Sequence, residues 1–307
     1  MKKLGKAKFW SSDRKCFYLF LIPAIIGFTL LTAYPFFRSL FLSFTNANLM
    51  SPGRFDFVYF DNYIYLFGGE MFGDPAFFPA IWNSLVYAFF SVILTNVLAL
   101  LAASALTKSF RGESIFRTLW YIPSILPAVS MTVMFGWIFN PSYGAVNQIL
   151  LAFGVTELDL PLWFESSDTY MITLLLMSCW GFGGKMIIYI AGLKGIPHDY
   201  YEAAEIDGAN RFSLFFKITM PLLTPSVFYN MITGIIAGIQ VFTESYVAGG
   251  SINFIVKYIY TTAYNSPYSI GMASAMAWIL CIITTIFVGI NFLVSKYWVN
   301  YGDELNG

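Results

Sequence analysis

Residues 200–221 read YYEAAEIDGANRFSLFFKITMP, and they stand apart from everything around them. Long apolar segments flank them on both sides, yet this stretch holds Glu202, Glu205, Asp207, Arg211 and Lys217. Pro197 suits the first turn of a helix, where its missing N–H costs nothing. Residues 198–206 favour a helix that Gly208 can close in a left-handed cap. A second short helix follows, with Phe212, Phe215, Phe216 and Thr219 at helical spacing, before Pro221 and Pro225 mark entry into another apolar run. Interfacial helices carry Lys and Arg on their polar face. The acidic first helix therefore points to a protein partner rather than to lipid, with Ala203 and Ala204 small enough for close approach.

Outward from this stretch, the composition is that of a membrane protein. The chain has 307 residues, 58% hydrophobic and 20% aromatic, with only 11% charged; a soluble domain carries about a quarter charged residues. Windows of about 20 apolar residues match the thickness of a bilayer. They predict six spans near 17–37, 80–106, 117–139, 169–193, 225–248 and 271–297, giving an all-α integral membrane fold. The first run is too long for the apolar part of a signal peptide and is expected to be a retained anchor. The expected organisation is a tail over 1–16, one six-span domain over 17–297 and a second tail over 298–307.

Charge sets the expected direction. Of the 17 Lys and Arg, six lie in the N-terminal tail, and Lys108, Arg111, Arg117, Lys194, Arg211, Lys217 and Lys296 lie in segments on the same side. Arg54 and Lys257 lie in loops on the opposite side, while Arg38 and Lys185 fall within or at the edge of spans. The positive-inside rule places both termini, and the 200–221 stretch, in the cytoplasm. Cys16, Cys179 and Cys281 lack paired spacing and read as free thiols. His198 has no second ligand nearby and reads as interfacial, so no metal site is expected.

The spacing Glu202-Ala203-Ala204, then Gly208, then Ile218 and Met220-Pro221 resembles the EAA motif of binding-protein-dependent ABC importer permeases. Met220 departs mildly from the usual leucine. The segments FLIPAIIGFTLLTAYPFFRSLFLSFTN (20–46), FVYFDNYIYLF (57–67), YIPSILPAVSMTVMFGWIFNPSYGAVNQIL (121–150) and WGFGGKMIIYIAGLKGIPHDYYEAAEIDGAN (180–210) are similar to the carbohydrate-uptake, MalF- and UgpA-like branch. The resemblance implies a type I importer permease fold in a bacterial inner membrane, working by alternating access. It also implies a coupling helix at about 197–220, in which Glu202 supplies a charged contact and Ala203, Ala204 and Gly208 permit close docking. The implied partners are a second, related permease, two ATPase subunits that bind ATP and magnesium, and an extracytoplasmic substrate-binding protein. The chain itself carries no GxxxxGK[ST]; GFGGKM at 181–186 places Met186 where the hydroxyl would stand.

Intramembrane polar groups are candidate pathway residues. Three glycines at 181, 183 and 184 predict a broken fourth span beside Trp180 and Lys185, able to present backbone groups to a substrate. The fifth span adds Gln240, Glu244 and Tyr246. At Gln240 the resemblance implies a sugar-contacting side chain; amides both donate to and accept from hydroxyls. Trp180 and Tyr246 could stack on a pyranose ring, with ordinary helix packing as the equal alternative. For straight helices, the heights of Lys185 and Glu244 differ by about 16 Å, too far for an ion pair. Snorkelling to the interface is the leading reading of Lys185; contact with an acidic or phosphorylated substrate is the alternative. Asn83, Asn96, Asn230 and Asn291 read equally well as interhelical hydrogen-bond formers. An oligosaccharide importer subunit is the resulting expectation, against an acidic-saccharide or glycerol-phosphate importer, an ion-coupled secondary transporter, and an enzyme acting on lipid-linked sugar.

Overall fold

The computed structural model describes residues 6–51, 53–68, 73–107, 110–250, 252–265 and 269–300, with side chains from residue 17 onward. The first residues of the N-terminal tail, Lys108 and residues 301–307 of the C-terminal tail lie outside the described residues. In chain order the helices are α1 (Lys6–Phe28), α2 (Tyr34–Ser43), α3 (Asp61–Phe67), α4 (Phe77–Leu106), α5 (Glu113–Ile125), α6 (Ala128–Ile138), α7 (Ala145–Ala152) and α8 (Ser167–Trp180). They continue as α9 (Gly183–Lys194), α10 (Asp199–Ile206), α11 (Arg211–Leu214), α12 (Met220–Ile239), α13 (Thr243–Val247), α14 (Ile255–Tyr264) and α15 (Ile270–Ser295). Only isolated β-bridges occur among the described residues, Thr45 with Phe57 and Asn48 with Ser269.

Four helical runs are each long and apolar enough to cross a bilayer: Phe17–Ser43, Phe77–Leu106, Arg211–Val247 and Ile270–Ser295. Two helix pairs pass the same test jointly, α5 with α6, bent by 99°, and α8 with α9, bent by 46°. The six apolar runs of the sequence are thus recovered, but the third and fourth are broken. The third breaks where Leu126 and Pro127 adopt extended backbone, as expected for a residue that precedes proline. The fourth breaks at Gly181 and Phe182, whose backbone turns without becoming extended.

Packing divides the chain into two compact units, residues 1–73 with 259–279, and residues 74–258 with 280–307. In the first unit, a π-turn over Thr29–Ala33 precedes Pro35. Proline lacks the N–H that would continue the helix ladder, and a π-turn accommodates it without ending the helix. The Asn62 amide donates to the carbonyls of Ser43 and Thr45 at 2.8 and 2.9 Å. Tyr63 donates its hydroxyl to Ser43 Oγ at 2.8 Å. The Asn-Tyr pair thereby closes the C-terminal end of the first span.

The second unit is built around α4. Its Ala99, Ala102 and Ala103 are buried against Met186, Tyr189 and Ile190 of α9 and Leu223 of α12. In a bilayer, helix association rests on close packing and interhelical hydrogen bonds, so small residues belong at such seams. Tyr189 adds a 2.6 Å bond to Asn96 Oδ1. A second cluster gathers Tyr87, Phe135, Phe139, Trp163, Tyr170, Val241 and Phe254. Nothing sharp separates α11 from α12: a π-turn over Phe215–Thr219 links them into one helical run. The separate second helix expected before Pro221 is therefore the lead-in to the fifth span. Pro221 stands at the start of α12, where its missing N–H removes no helix bond once the π-turn precedes it.

Candidate functional site

Three interruptions of helix in the second unit meet at one hollow of about 700 Å³. Leu126 comes from the α5–α6 break, Gly181 from the α8–α9 break, and Gln240, Val241 and Phe242 from the gap between α12 and α13. Non-helical backbone at membrane depth is tolerated only where it is buried in protein or lines a water-filled cavity. Three independent breaks around one space mark that space as the polar interior of the unit.

The wall is rich in hydroxyls. Ser91 and Thr95 come from α4, Ser124 from the end of α5, Ser178 from α8 and Thr233 from α12. Thr95 and Ser91 also bond back to the carbonyls of their own helix, which leaves oxygen lone pairs toward the space. Gly238 is buried so tightly on Ala88 that a Cβ there would meet the Ala88 backbone at 2.7 Å. This contact fixes how closely α12 approaches α4. A further hollow of about 740 Å³ lies among loop residues 46–56 of the first unit, with no break of helix around it.

Of the residues singled out from sequence, Lys185, Gln240 and Glu244 line the 700 Å³ cavity, and Trp180 and Tyr246 do not. Trp180 is exposed, edge-on to Phe135 at 6.2 Å between ring centres. Tyr246 stacks on Phe242 at 5.3 Å. Lys185 does not snorkel: its ammonium donates to Thr95 Oγ1 of α4 at 2.5 Å. A Cβ at Gly234 would stand 3.0 Å from Lys185 Nζ, so the glycine leaves room for the ammonium. No ion pair joins Lys185 to Glu244 among the described residues.

Sequence reasoning passed over the groups that hold the segment following α13. Tyr170 directs its hydroxyl to the carbonyls of Ser245 and Gly249 at 2.9 and 2.8 Å. Lys257, 8% exposed, donates to the carbonyls of Gly249, Gly250 and Ile252 at 2.9 to 3.4 Å. Burial pushes its ammonium below the ordinary lysine range. Both glycines have φ of +73°, a conformation that turns their carbonyls toward one point. The adjacent Gly-Gly was the available signal.

The 200–221 stretch forms a compact motif of its own. Gly208 has φ +81°. Ala209 N–H donates to Ala204 O at 2.9 Å and Gly208 N–H to Glu205 O at 3.0 Å, a Schellman closure of α10. Asn210 then caps α11 by accepting from Ser213 N–H at 2.8 Å. Tyr201 meets Thr219 Oγ1 at 3.0 Å, tying α10 to the helical run of the fifth span. Glu202 pairs with His198 Nδ1 at 2.9 Å, with its side chain 65% exposed. Ala203 and Gly208 are exposed, Ala204 is half-buried, and Ile206 is 86% exposed. This is an open face of acid, small and apolar groups on a short rigid helix.

Comparison with known proteins decides the family. Residues 95–297 match the family described as binding-protein-dependent transport system inner membrane component. The chain belongs to this family. The match covers the 200–221 motif and the cavity lining from Thr95 onward. The permease is 36% identical to the probable ABC transporter permease protein YesP of Bacillus subtilis (strain 168), over 98% of this chain and 97% of the relative. It is 31% identical to the arabinooligosaccharides transport system permease protein AraP of the same organism, over 96% and 93%. Among solved structures it resembles a chain of a bacterial alginate ABC transporter in complex with an alginate pentasaccharide-bound periplasmic protein. That likeness has a TM-score of 0.77 at 20% identity and covers 94% of this chain and 96% of the other. The shared fold is that of an ABC importer permease.

Proposed function

We propose that this permease forms the passage of an ATP-driven importer of oligosaccharides, with the 700 Å³ cavity as part of that passage. The convergence of three helix breaks on a hydroxyl- and amide-lined cavity is the observation that carries the reading. Saccharides present paired donors and acceptors, and Ser, Thr and Gln side chains answer both. The names of AraP and of the diacetylchitobiose uptake permease NgcF, 30% identical over 92% of this chain, favour the same substrate class.

In this reading α10 docks in a groove of a separate ATPase, through Glu202 and the close approach allowed by Ala203, Ala204 and Gly208. Energy comes from that partner, which holds ATP and magnesium; the present sequence has no phosphate-loop motif. Closure of an ATPase pair pushes on α10, and the Tyr201–Thr219 contact passes the displacement to α12, whose far end forms the cavity wall. A second permease completes the passage, and an extracytoplasmic binding protein delivers the cargo. In this reading both termini lie in the cytoplasm of a bacterial-type cell, which the distribution of Lys and Arg supports.

The test is purification of the tagged chain from its native membrane in mild detergent, with mass spectrometry of what accompanies it. A phosphate-loop ATPase and a second permease are expected. A chain that comes alone from membranes in which it still supports uptake would make it an ion-coupled transporter instead.

A further inference from the structure

The cavity holds one ammonium and one carboxylate that do not neutralise each other. Lys185 bonds to Thr95 on α4. Glu244 lines the same cavity from the far side of the α12–α13 gap, and no ion pair joins it to Lys185 among the described residues.

The Lys185 ammonium carries three N–H donors, and one of them is directed to Thr95. No carboxylate lies within 4 Å of it among the described residues. Gly234 opposite lacks the side chain that would cover it. Lys185 also lies in the first turn of α9, the end of a helix at which the macrodipole favours negative charge. An uncompensated cation inside a membrane span is costly, and such groups face a pathway or a counter-ion. Among the described residues, none supplies this lysine with a counter-ion.

We infer that Lys185 is a specificity-determining residue that binds the acid group of an anionic saccharide, so that the cavity accepts a sugar chain carrying a carboxylate or sulfonate. The acid group accepts from the two Lys185 N–H donors not directed to Thr95. Glu244, which makes no ion pair with Lys185, repels an anion from its own side of the cavity, and Gln240 beside the gap reads neutral hydroxyls. The cargo therefore enters in one orientation. This inference rests on the saccharide reading given above.

The test uses the complete transporter in its native cell, offered a mixture of oligogalacturonates, alginate oligomers, maltodextrins and arabino-oligosaccharides. Depletion of each oligomer is followed by mass spectrometry, in wild type, a strain lacking the permease, Lys185→Met and Lys185→Arg. The amount of assembled transporter in the membrane is measured alongside. Permease-dependent depletion of acidic oligomers is expected, lowered at least tenfold by Lys185→Met and retained by Lys185→Arg. Uptake of any accepted neutral oligomer should change little, so the acid-to-neutral ratio falls. Depletion of neutral oligomers alone by wild type overturns the inference and leaves the saccharide reading standing. An equal fall of both classes, or failure of Lys185→Met to assemble, makes Lys185 structural and also overturns it. Permease-dependent depletion of neither class removes the saccharide reading and this inference with it.

Discussion

The α10 motif and the cavity belong to the same unit, yet they are built in opposite ways. The motif is local: its His198–Glu202 pair, its Schellman closure and the N-cap that follows all lie within residues 198–213. The cavity is assembled from residues between 87 and 244, drawn from seven helices and three breaks. A local motif tolerates little change of sequence pattern but much change around it. An assembled cavity depends on how its helices pack, so its most sensitive positions are packing contacts that never touch a substrate.

Gly238 should therefore show the largest effect. A valine there drives its side chain into the Ala88 backbone, and neither helix can yield by a side-chain rotation alone. Overpacking of this kind costs about 1–3 kcal/mol, and the displaced α12 carries Gln240 with it. Gly238→Val is expected to abolish uptake and reduce assembled complex, as read by transport assay and size-exclusion chromatography. Normal assembly with normal uptake would mean that the wall does not need this α4–α12 approach.

Glu202→Lys probes the local side of the comparison. The Glu202 side chain is exposed, so its reversal should leave the fold intact and act on docking alone. The expectation is normal membrane level with at least about a tenfold loss of uptake, the equivalent of about 1.4 kcal/mol at the docking face. Transport-coupled ATP hydrolysis should fall in parallel. Unchanged transport and hydrolysis would remove Glu202 from the coupling contact.

How much of this was legible in the sequence follows the same division. Apolar run lengths disclosed the six spans, because bilayer thickness imposes them one segment at a time. Gly208 as a left-handed cap was readable for the same reason, since its cause lies within a few residues. The glycines at 181–184 announced a break, and Pro127 could have announced another. The merging of α11 into α12 was not legible, because a π-turn at Phe215–Thr219 absorbs the proline that ordinarily marks an end. Nor could spacing say which polar side chains share a space. Trp180 and Lys185 stand five positions apart across a bend, and only Lys185 turns into the cavity. The hydroxyls of Ser91, Thr95, Ser124 and Ser178 were passed over because a serine or threonine in a span more commonly bonds back to its own helix.

The finest test separates Gln240 from Trp180, which sequence alone ranks together as sugar-contacting candidates. Gln240 stands at the C-terminal end of α12, at the lip of the gap that opens the cavity, while Trp180 is turned outward against the edge of Phe135. Gln240→Ala removes an amide able to pair with two hydroxyls. At about 0.5–1.5 kcal/mol per hydrogen bond, the apparent KM for uptake should rise by roughly two- to tenfold. Maximal rate should change less, since the side chain has no packing role in either buried cluster. Trp180→Ala deletes a larger side chain but one outside the wall, so KM is expected to stay within about twofold of wild type, with any loss appearing as a lower amount of complex. If the two variants exchange these behaviours, the substrate passes on the outer side of α8 rather than through the converging breaks, and the cavity is a packing void. A rise in KM confined to Gln240→Ala places the sugar at the α12–α13 gap, the point where a motion of α10 carried along the fifth span would reach it.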